Sequence, residues 1–267
     1  MPAYFYLLTL VGLWCFVSEG VDVCIIEVGM GGRFDATNVV PSPVACGVAM
    51  LDLDHTKVLG ETLDEIAWEK GGIFKTGCRA FTVEQPRGGM SVLHECSQEA
   101  GCKLEVVDAL PTHDPVGIPY DIGLAGAHQL VNAGLALRLC AAWMEERQQR
   151  QSRSMVVIRS TPGAGGTTTS YYSEGGGAGV VGGRVESSLC FQGSQGMKVF
   201  LRSAEVHKGL SKCPWPGRCQ VFRPPDFPPL TVYLDGAHTE QSMHACLQWF
   251  IAEIRKVRRA RGGERRA

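Results

Sequence analysis

Apolar and polar positions along the chain fall into two alternating patterns. Short apolar runs rich in β-branched residues predict buried strands at residues 21–28 and 44–51. Residues 79–83, 103–107 and 230–234 are also predicted to be strands. Segments whose apolar residues recur at helical spacing predict helices at residues 63–70, 91–101, 126–147 and 240–254. Strands that alternate with helices in this way predict an α/β fold built on a parallel sheet.

One predicted helix has clear start and stop signals. Thr62 and Glu65 have the spacing of a capping box, in which each residue satisfies a backbone N–H near the other. Gly71 and Gly72 follow, and glycine commonly ends a helix. We therefore expect a helix over 63–70 that carries Lys70 in its last turn.

Residues 4–17 form an almost wholly apolar run. The run is shorter than the ~20 residues that a membrane-spanning helix needs. It has neither the basic flank nor the small-residue cleavage site of a secretory signal peptide. We predict a buried helix that leads into the strand at 21–28, with a membrane anchor as the alternative.

Composition and charge exclude several classes of protein. The 267 residues carry a net charge of −1, which excludes a generally basic nucleic-acid binder. The 11 cysteines include no Cys-x-x-Cys pair, which favours reduced thiols in an intracellular protein over disulfides or a structural zinc site. Residues 163–183 are rich in glycine and predict a disordered insertion, and the basic run at 255–266 predicts a solvated tail.

Candidate chemistry is concentrated where predicted strands end. Residues 27–32, 52–55 and 235–238 each combine acidic residues with glycine or histidine, and ligands of open α/β sheets bind at the carboxyl ends of strands. Glu27 and His55 suit a divalent ion completed by substrate phosphates. The alternatives are a carboxylate that accepts turn N–H groups and a loop histidine with an ordinary hydrogen bond. No phosphate-loop sequence of the form G-x-x-x-x-G-K-[ST] is present.

Five segments in order carry a resemblance to a known family: EVGMGGRFDATNVV (27–40), LDHTKVLGETLDEIAWEKGGIFK (53–75), GLAGAHQLVNAGLAL (123–137), WPGRCQV (215–221) and YLDGAHT (233–239). Together they resemble the folylpolyglutamate synthases of the Mur ligase family. The resemblance implies a partial central ATPase domain with a parallel sheet, followed by the start of a C-terminal Rossmann-like α/β domain.

The resemblance also implies a reaction. Members of this family are ATP-dependent ligases that add L-glutamate to the γ-carboxyl of tetrahydrofolate or its polyglutamates through an acyl phosphate. The implied cofactors are ATP and Mg²⁺, with a monovalent cation as a further possibility. A bifunctional dihydrofolate synthase/folylpolyglutamate synthase and a non-catalytic fragment without the phosphate loop are the alternatives.

Seven positions match functional residues of the family. The resemblance implies Mg²⁺ ligation by Glu27 and His55. It implies catalytic roles for Lys70, which matches a lysine carbamylated in several members, and for His238. It implies ATP contacts for the remaining three: Asn132, Arg218 and Asp235. Without the resemblance, the sequence favours a solvated lysine at position 70 that interacts with the negative end of the helix dipole.

The same resemblance suggests how the chain is organised. We expect a partial central ATP-binding domain at 1–147, a Gly/Ser-rich disordered insertion at 148–188, a linker at 189–214 and a partial C-terminal ligase domain at 215–267. The chain is expected to lack the family's phosphate loop at its start and further strands and helices at its end. Small-molecule substrates, no nucleic acid, no membrane and a monomeric state are expected, in the cytoplasm and also in mitochondria.

Overall fold

The computed structural model describes residues 3–153, 155–157, 171–173 and 193–263. Its helices are Tyr4–Glu19 (α1), Thr56–Leu59 (α2), Leu63–Gly71 (α3), Arg87–Glu99 (α4), His128–Arg153 (α5), Gly193–Leu201 (α6), Ala204–Ser211 (α7) and Glu240–Gly263 (α8). Its strands are Ala45–Val48 (β1), Arg79–Val83 (β2), Lys103–Val107 (β3), Met155–Val157 (β4), Tyr171–Ser173 (β5), Gln220–Phe222 (β6) and Val232–Leu234 (β7).

The central element is a parallel sheet in the order β1-β2-β3. Ala45 of β1 pairs with Arg79 of β2, which pairs in turn with Lys103 of β3. Two antiparallel pairs complete the described strands, β4 with β5 and β6 with β7. The parallel sheet with crossing helices confirms the predicted α/β class.

Helices cover the parallel sheet on both faces. On one face, α3 and α4 bury a core that includes Ile66, Ala80 and Leu93. On the other face, α5 packs against Phe81 and Val83 of β2. A strand buried on both sides explains why β2 is a nearly continuous apolar run in the sequence.

The start of α3 has the capping box that the sequence predicts. The Glu65 backbone N–H donates to Thr62 Oγ1 at 3.2 Å, and the Thr62 N–H donates to the Glu65 carboxylate at 3.0 Å. The helix ends at Gly71, with Gly72 as its C-cap. The predicted boundaries of this helix are confirmed to within one residue.

The N-terminal expectations are wrong in two respects. Residues 21–28 form no strand, and Ile25 is 86% exposed. Helix α1 forms as expected but buries none of its residues, rather than lying in a core. A hydrophobic strand or helix is buried only against a partner surface. Within the described residues no strand pairs with 21–28, and the contacts of α1 with residues 29 and 36–39 leave all of its residues unburied. No helix in the described ranges is long and apolar enough to cross a membrane.

Two helices extend further than predicted. Helix α5 continues through residues 148–153, which the sequence assigned to the insertion, and α8 continues to Gly263 through most of the basic run. Arginine, lysine and glutamine are good helix formers, so a polar composition does not by itself end a helix. Residues 155–157 and 171–173 of the insertion pair as strands, and the rest of it lies outside the described residues.

Candidate functional site

The glycine-rich turn at residues 29–32 is attached to the C-terminal end of α3. The Arg33 N–H donates to the Glu69 carbonyl at 2.8 Å, and Asn38 Nδ2 donates to the Arg33 carbonyl at 3.0 Å. A Cβ on Gly32 would lie 2.8 Å from the Glu69 carbonyl oxygen. Glycine is therefore needed at this position because the two backbones approach so closely.

Two of the predicted site residues flank this junction. Lys70 is half-buried in the last turn of α3, and a Cβ on Gly32 would lie 3.1 Å from its carbonyl oxygen. Glu27 is exposed and stands just before the turn. Within the described ranges, its carboxylate has no hydrogen-bond or ion-pair partner. The turn therefore holds the backbone next to Glu27 against the end of the helix that carries Lys70.

His55 lies in the loop between β1 and α3. It precedes α2 with φ 50° and ψ 35°, a left-handed conformation that is uncommon for a residue with a side chain. Its imidazole is half-exposed, and its Nε2 lies 3.6 Å from Asp54 Oδ2. The Asp54 carboxylate also accepts the His55 backbone N–H at 2.7 Å. These contacts hold the imidazole at the carboxyl end of the sheet.

The loop after β1 meets the loop after β7, although the two are far apart in sequence. His238 Nε2 donates to Asp54 Oδ2 at 3.2 Å across 184 positions. The Thr239 hydroxyl donates to the Asp52 carboxylate across 187 positions. These two contacts bring two of the predicted strand-end clusters, 52–55 and 235–238, into one site.

The surroundings of His238 favour a charged imidazole. Its Nδ1 faces the Gly236 carbonyl at 2.8 Å while its Nε2 faces the Asp54 carboxylate, so both ring nitrogens must carry hydrogen to satisfy acceptor-only partners. These bonds, the one to Gly236 foremost, raise the pKa of His238, with nearby Arg218 opposing them. Burial works to raise the pKa of Asp54, but the bonds from His238 and His55 outweigh it and lower that pKa.

Asp235 organises the loop that carries His238. One carboxylate oxygen accepts the Cys219 N–H at 2.6 Å, and the other accepts the Ala237 N–H at 2.8 Å. The guanidinium of Arg218 lies against the next residue, since a Cβ on Gly236 would be 1.9 Å from Arg218 Nη1. Asp235 therefore links the backbone of Cys219 to that of Ala237. These residues adjoin Arg218 and His238, so the two cationic side chains are held near one another.

Asn132 lies in the first turns of α5 and is exposed. Its Nδ2 donates to Gln129 Oε1 at 3.1 Å, and Gln129 in turn contacts the His128 ring at 3.0 Å. A Cβ on Gly126 would lie 2.6 Å from the His128 ring and 3.3 Å from Cys219 Sγ. The N-terminal end of α5 is thus in contact with the loop that carries Arg218.

Comparisons with known proteins were made by sequence and by fold. No protein-family model matches the chain. Over 263 residues, 98% of the chain, it is 39% identical to the mitochondrial folylpolyglutamate synthase of Cricetulus griseus and 41% identical to that of Homo sapiens. A folylpolyglutamate synthase of Arabidopsis thaliana is 38% identical over 261 residues. The chain is related to the folylpolyglutamate synthases. It spans about 40% of the length of these curated relatives.

Solved folylpolyglutamate synthases share the fold. A structure described as an FPGS-AMPPCP complex matches 94% of the chain with a TM-score of 0.63 at 21% identity, and the chain covers 52% of that structure. The Mycobacterium tuberculosis enzyme, complexed with ADP and AMPPCP, gives a TM-score of 0.63 at 24% identity over 94% of the chain and 48% of that structure. These matches support the α/β architecture as part of a longer fold.

Set against this relationship to folylpolyglutamate synthases, the predicted site residues form two groups. His55, Arg218, Asp235 and His238 are linked by direct contacts or through one intervening residue, while Glu27 and Lys70 flank the glycine turn. Among the described residues, no hydrogen bond or ion pair joins Glu27 to His55, and no group of three or more His, Cys, Asp or Glu is arranged to hold a metal ion. The metal assignment stays a prediction.

Sequence reasoning missed three residues of the site. Asp54 belongs to a strand-end cluster that the sequence identifies, but its contact with His238 depends on tertiary structure. Thr239 and Cys219 lie in two of the segments that carry the resemblance, 233–239 and 215–221, but the sequence assigns neither of them a role. Cys219 is nevertheless buried, has a φ of 44° and donates its backbone N–H to Asp235.

Proposed function

We propose that the chain forms part of an ATP-dependent ligase that adds L-glutamate to the γ-carboxyl of tetrahydrofolate or its polyglutamates. The relatives that match nearly the whole chain are named folylpolyglutamate synthases, and solved structures of this fold are named as complexes with AMPPCP and folate. The observation that carries the proposal is the junction of the 52–55 and 235–239 loops, which places acidic and cationic side chains at the carboxyl end of the sheet.

The nucleotide is proposed to bind where α5 meets the loop of Arg218. A planar guanidinium binds phosphate oxygens through two parallel hydrogen bonds, and the neighbouring His238 adds a second cation. Asp235 holds the backbone around both residues and is proposed to contact the nucleotide, as is the exposed amide of Asn132.

The reaction begins with transfer of the terminal phosphoryl group of ATP to the γ-carboxylate of the folate. The amine of glutamate then attacks the acyl phosphate, an amide bond forms and phosphate leaves. Negative charge develops on the transferring group, and donors fixed in advance stabilise such charge most effectively. His238 is fixed by Gly236 and Asp54, so its charged ring is proposed to stabilise this charge electrostatically. Lys70 is proposed to act from the end of α3.

Glu27 and His55 are the residues proposed to hold Mg²⁺. The Glu27 carboxylate is exposed and without a protein partner in the described ranges, and His55 is half-exposed, so both suit an ion whose other ligands are phosphates and water. When bound, Mg²⁺ offsets the negative charge of the phosphates. The contact of His55 with Asp54 would be weakened on binding.

The domain division is part of the same proposal, with boundaries at 188 and 214 as the sequence predicts and the first boundary moved from 147 to 153, where α5 ends. A monomeric state and action on small molecules, without nucleic acid or membrane, are proposed as well. Two relatives are named mitochondrial, which supports a mitochondrial location, and a cytoplasmic pool is proposed beside it. A bifunctional enzyme that also makes dihydrofolate, and a fragment without catalysis of its own, are the alternatives.

The first test measures AMPPCP binding to the purified chain by calorimetry in the presence of Mg²⁺. Arg218→Ala should weaken binding about 10–100-fold, because a hydrogen bond to a charged group is commonly worth ~1.5–3 kcal/mol. Arg218→Lys should restore only part of the affinity, since lysine cannot form the two-bonded contact. Arg223→Ala is the matched control, an exposed arginine five positions along the chain.

The second test measures the reaction itself. A chimera carries this chain in place of the matching region of the Cricetulus griseus enzyme, and incorporation of labelled L-glutamate into tetrahydrofolate is followed. An active chimera that loses activity with His238→Ala or Lys70→Ala supports the assignment. Unchanged AMPPCP affinity in Arg218→Ala, or a folded chimera with no ligase activity, argues against it.

A further inference from the structure

Three cysteines lie together at the end of the parallel sheet where its strands begin, whereas the candidate site lies at the carboxyl ends of the strands. Cys46 and Cys78 are 8% and 7% exposed within the core beneath α3 and α4, and Cys102 packs against that core. Cys78 and Cys102 immediately precede β2 and β3, so they lie where those strands begin. The cluster therefore takes no part in the site described above.

The backbone places Cys78 directly opposite Cys102. The residues that follow them, Arg79 and Lys103, pair in the parallel ladder. The two glycines that precede them are joined by an N–H···O=C hydrogen bond of 3.5 Å. Neighbouring strands lie ~4.7–4.9 Å apart, and a disulfide needs Cα atoms about 4.4–6.8 Å apart. Both side chains contact the same core, so the geometry allows a bond between these two sulfurs.

Cys46 is less suited to such a bond. Its partner in the ladder is Ala80, two positions beyond Cys78. A diagonal offset of this kind separates Cα atoms by about 8 Å, from the spacing and rise of strands. Cα atoms more than ~7 Å apart cannot be bridged without backbone movement. The Cys46 thiol also donates to the Ile73 carbonyl at 3.3 Å.

Hydrogen bonds concentrate negative charge on Cys78. Its sulfur accepts the Lys75 N–H at 3.4 Å, and the thiols of Cys46 and Cys102 lie beside it. These neighbours, Cys46 foremost, lower the pKa of Cys78 to about 6, although burial opposes them. Burial, followed by the charge of Cys78, raises the pKa of Cys102 to about 11. Within the facing pair, the surroundings therefore favour a thiolate on Cys78 over one on Cys102.

We propose that Cys78 is a thiol modification site, attacked by a peroxide and resolved by Cys102 into a reversible disulfide. The Cys78 thiolate attacks one peroxide oxygen, the O–O bond breaks, and Cys78 sulfenic acid and hydroxide form. The Cys102 sulfur then attacks the Cys78 sulfur, and the S–O bond breaks. The departing hydroxide takes the Cys102 proton and leaves as water. Thr76 and Gly77 are exposed, which gives a small oxidant access beside Cys78.

The experiment treats the reduced, folded chain with hydrogen peroxide at pH 7, blocks remaining thiols with N-ethylmaleimide, and maps cross-linked peptides by mass spectrometry. Trypsin releases Cys78 in residues 76–79 and Cys46 in residues 34–57. Additional cleavage after Glu99 releases Cys102 in residues 100–103, apart from Cys96. The expected main product joins 76–79 to 100–103 and is lost on treatment with dithiothreitol.

Variants separate the two partners of Cys78. Cys102→Ser should lose the cross-link and leave Cys78 as a sulfenic acid that dimedone traps, whereas Cys46→Ser should retain the cross-link. A main product that joins 34–57 to 76–79 would overturn the assignment of Cys102. So would oxidation of the exposed Cys15 and Cys213 in wild-type chain while Cys78 stays a free thiol. The wild-type map stands without the variants, so a variant that fails to fold leaves the proposal testable.

Discussion

The contact between Gly32 and the end of α3 makes a quantitative prediction for Gly32→Ala. The added Cβ would lie 2.8 Å from the Glu69 carbonyl oxygen and 3.1 Å from that of Lys70, and backbone atoms cannot rotate away as a side chain can. Overpacking of this kind costs ~1–3 kcal/mol, and loss of the Arg33–Glu69 hydrogen bond adds ~0.5–1.5 kcal/mol. We expect the free energy of unfolding to fall by about 2–4 kcal/mol in total.

Urea unfolding of matched variants tests this prediction. A loss of this size lowers the midpoint by about 1–2 M if the dependence on urea is ~2 kcal/mol per M. Gly209→Ala is the control, since Gly209 lies in α7 with nothing within 4 Å of an added Cβ. That change should raise stability by ~0.5–1 kcal/mol because alanine favours a helix over glycine. Equal midpoints for Gly32→Ala and wild type would refute the close approach of the turn to α3.

Two further predictions concern side-chain contacts around the parallel sheet. Thr62→Ala removes the cap of α3 and should lower the free energy of unfolding by ~0.5–2 kcal/mol. Thr62→Ser keeps the hydroxyl and should lose much less. Thermal unfolding measures both, and equal midpoints for the two variants would contradict the role of Thr62 as a cap. The hydrogen bonds from Arg138 lower the pKa of Glu105 below its ordinary value of 4.5. The pair therefore stabilises the fold fully at a pH above 4.5, and this contribution is lost as the pH falls through the lowered pKa. The difference in free energy of unfolding between wild type and Glu105→Gln should therefore shrink as the pH is lowered from about 7 to 3. Urea unfolding across this range measures it. For the control Glu84→Gln, at an exposed position, the difference from wild type should not shrink in this way.

The sequence predicts local features of the parallel sheet and its helices well because those features depend on nearby residues. The capping box of Thr62 and Glu65 is set within four positions and forms as expected. The strands at 79–83 and 103–107 are also confirmed: the first is an apolar run that neighbouring elements bury, and the second pairs with it in the parallel sheet. The strand at 44–51 is confirmed only at 45–48, where pairing with β2 exists.

Features that depend on distant partners could not be predicted in the same way. The run at 21–28 is as apolar as β2 but has no strand beside it in the described ranges, so its composition alone does not make it a strand. The contact of Asp54 with His238 arises only because two loops meet in space. Asp54 and His238 both lie in segments that carry the family resemblance, but only the fold shows that the two side chains are in contact.

The meeting of the 52–55 and 235–239 loops has a consequence for how the chain can vary in length. The entropy of closing a loop depends only on the logarithm of its length, so doubling or halving a connection changes the free energy by only ~0.6 kcal/mol. Residues 154–192 connect α5 to α6, between the two parts that these loops join. Insertions and deletions in that connection should therefore accumulate over evolution at little thermodynamic cost, while Asp54, His238 and the residues that hold them stay under selection.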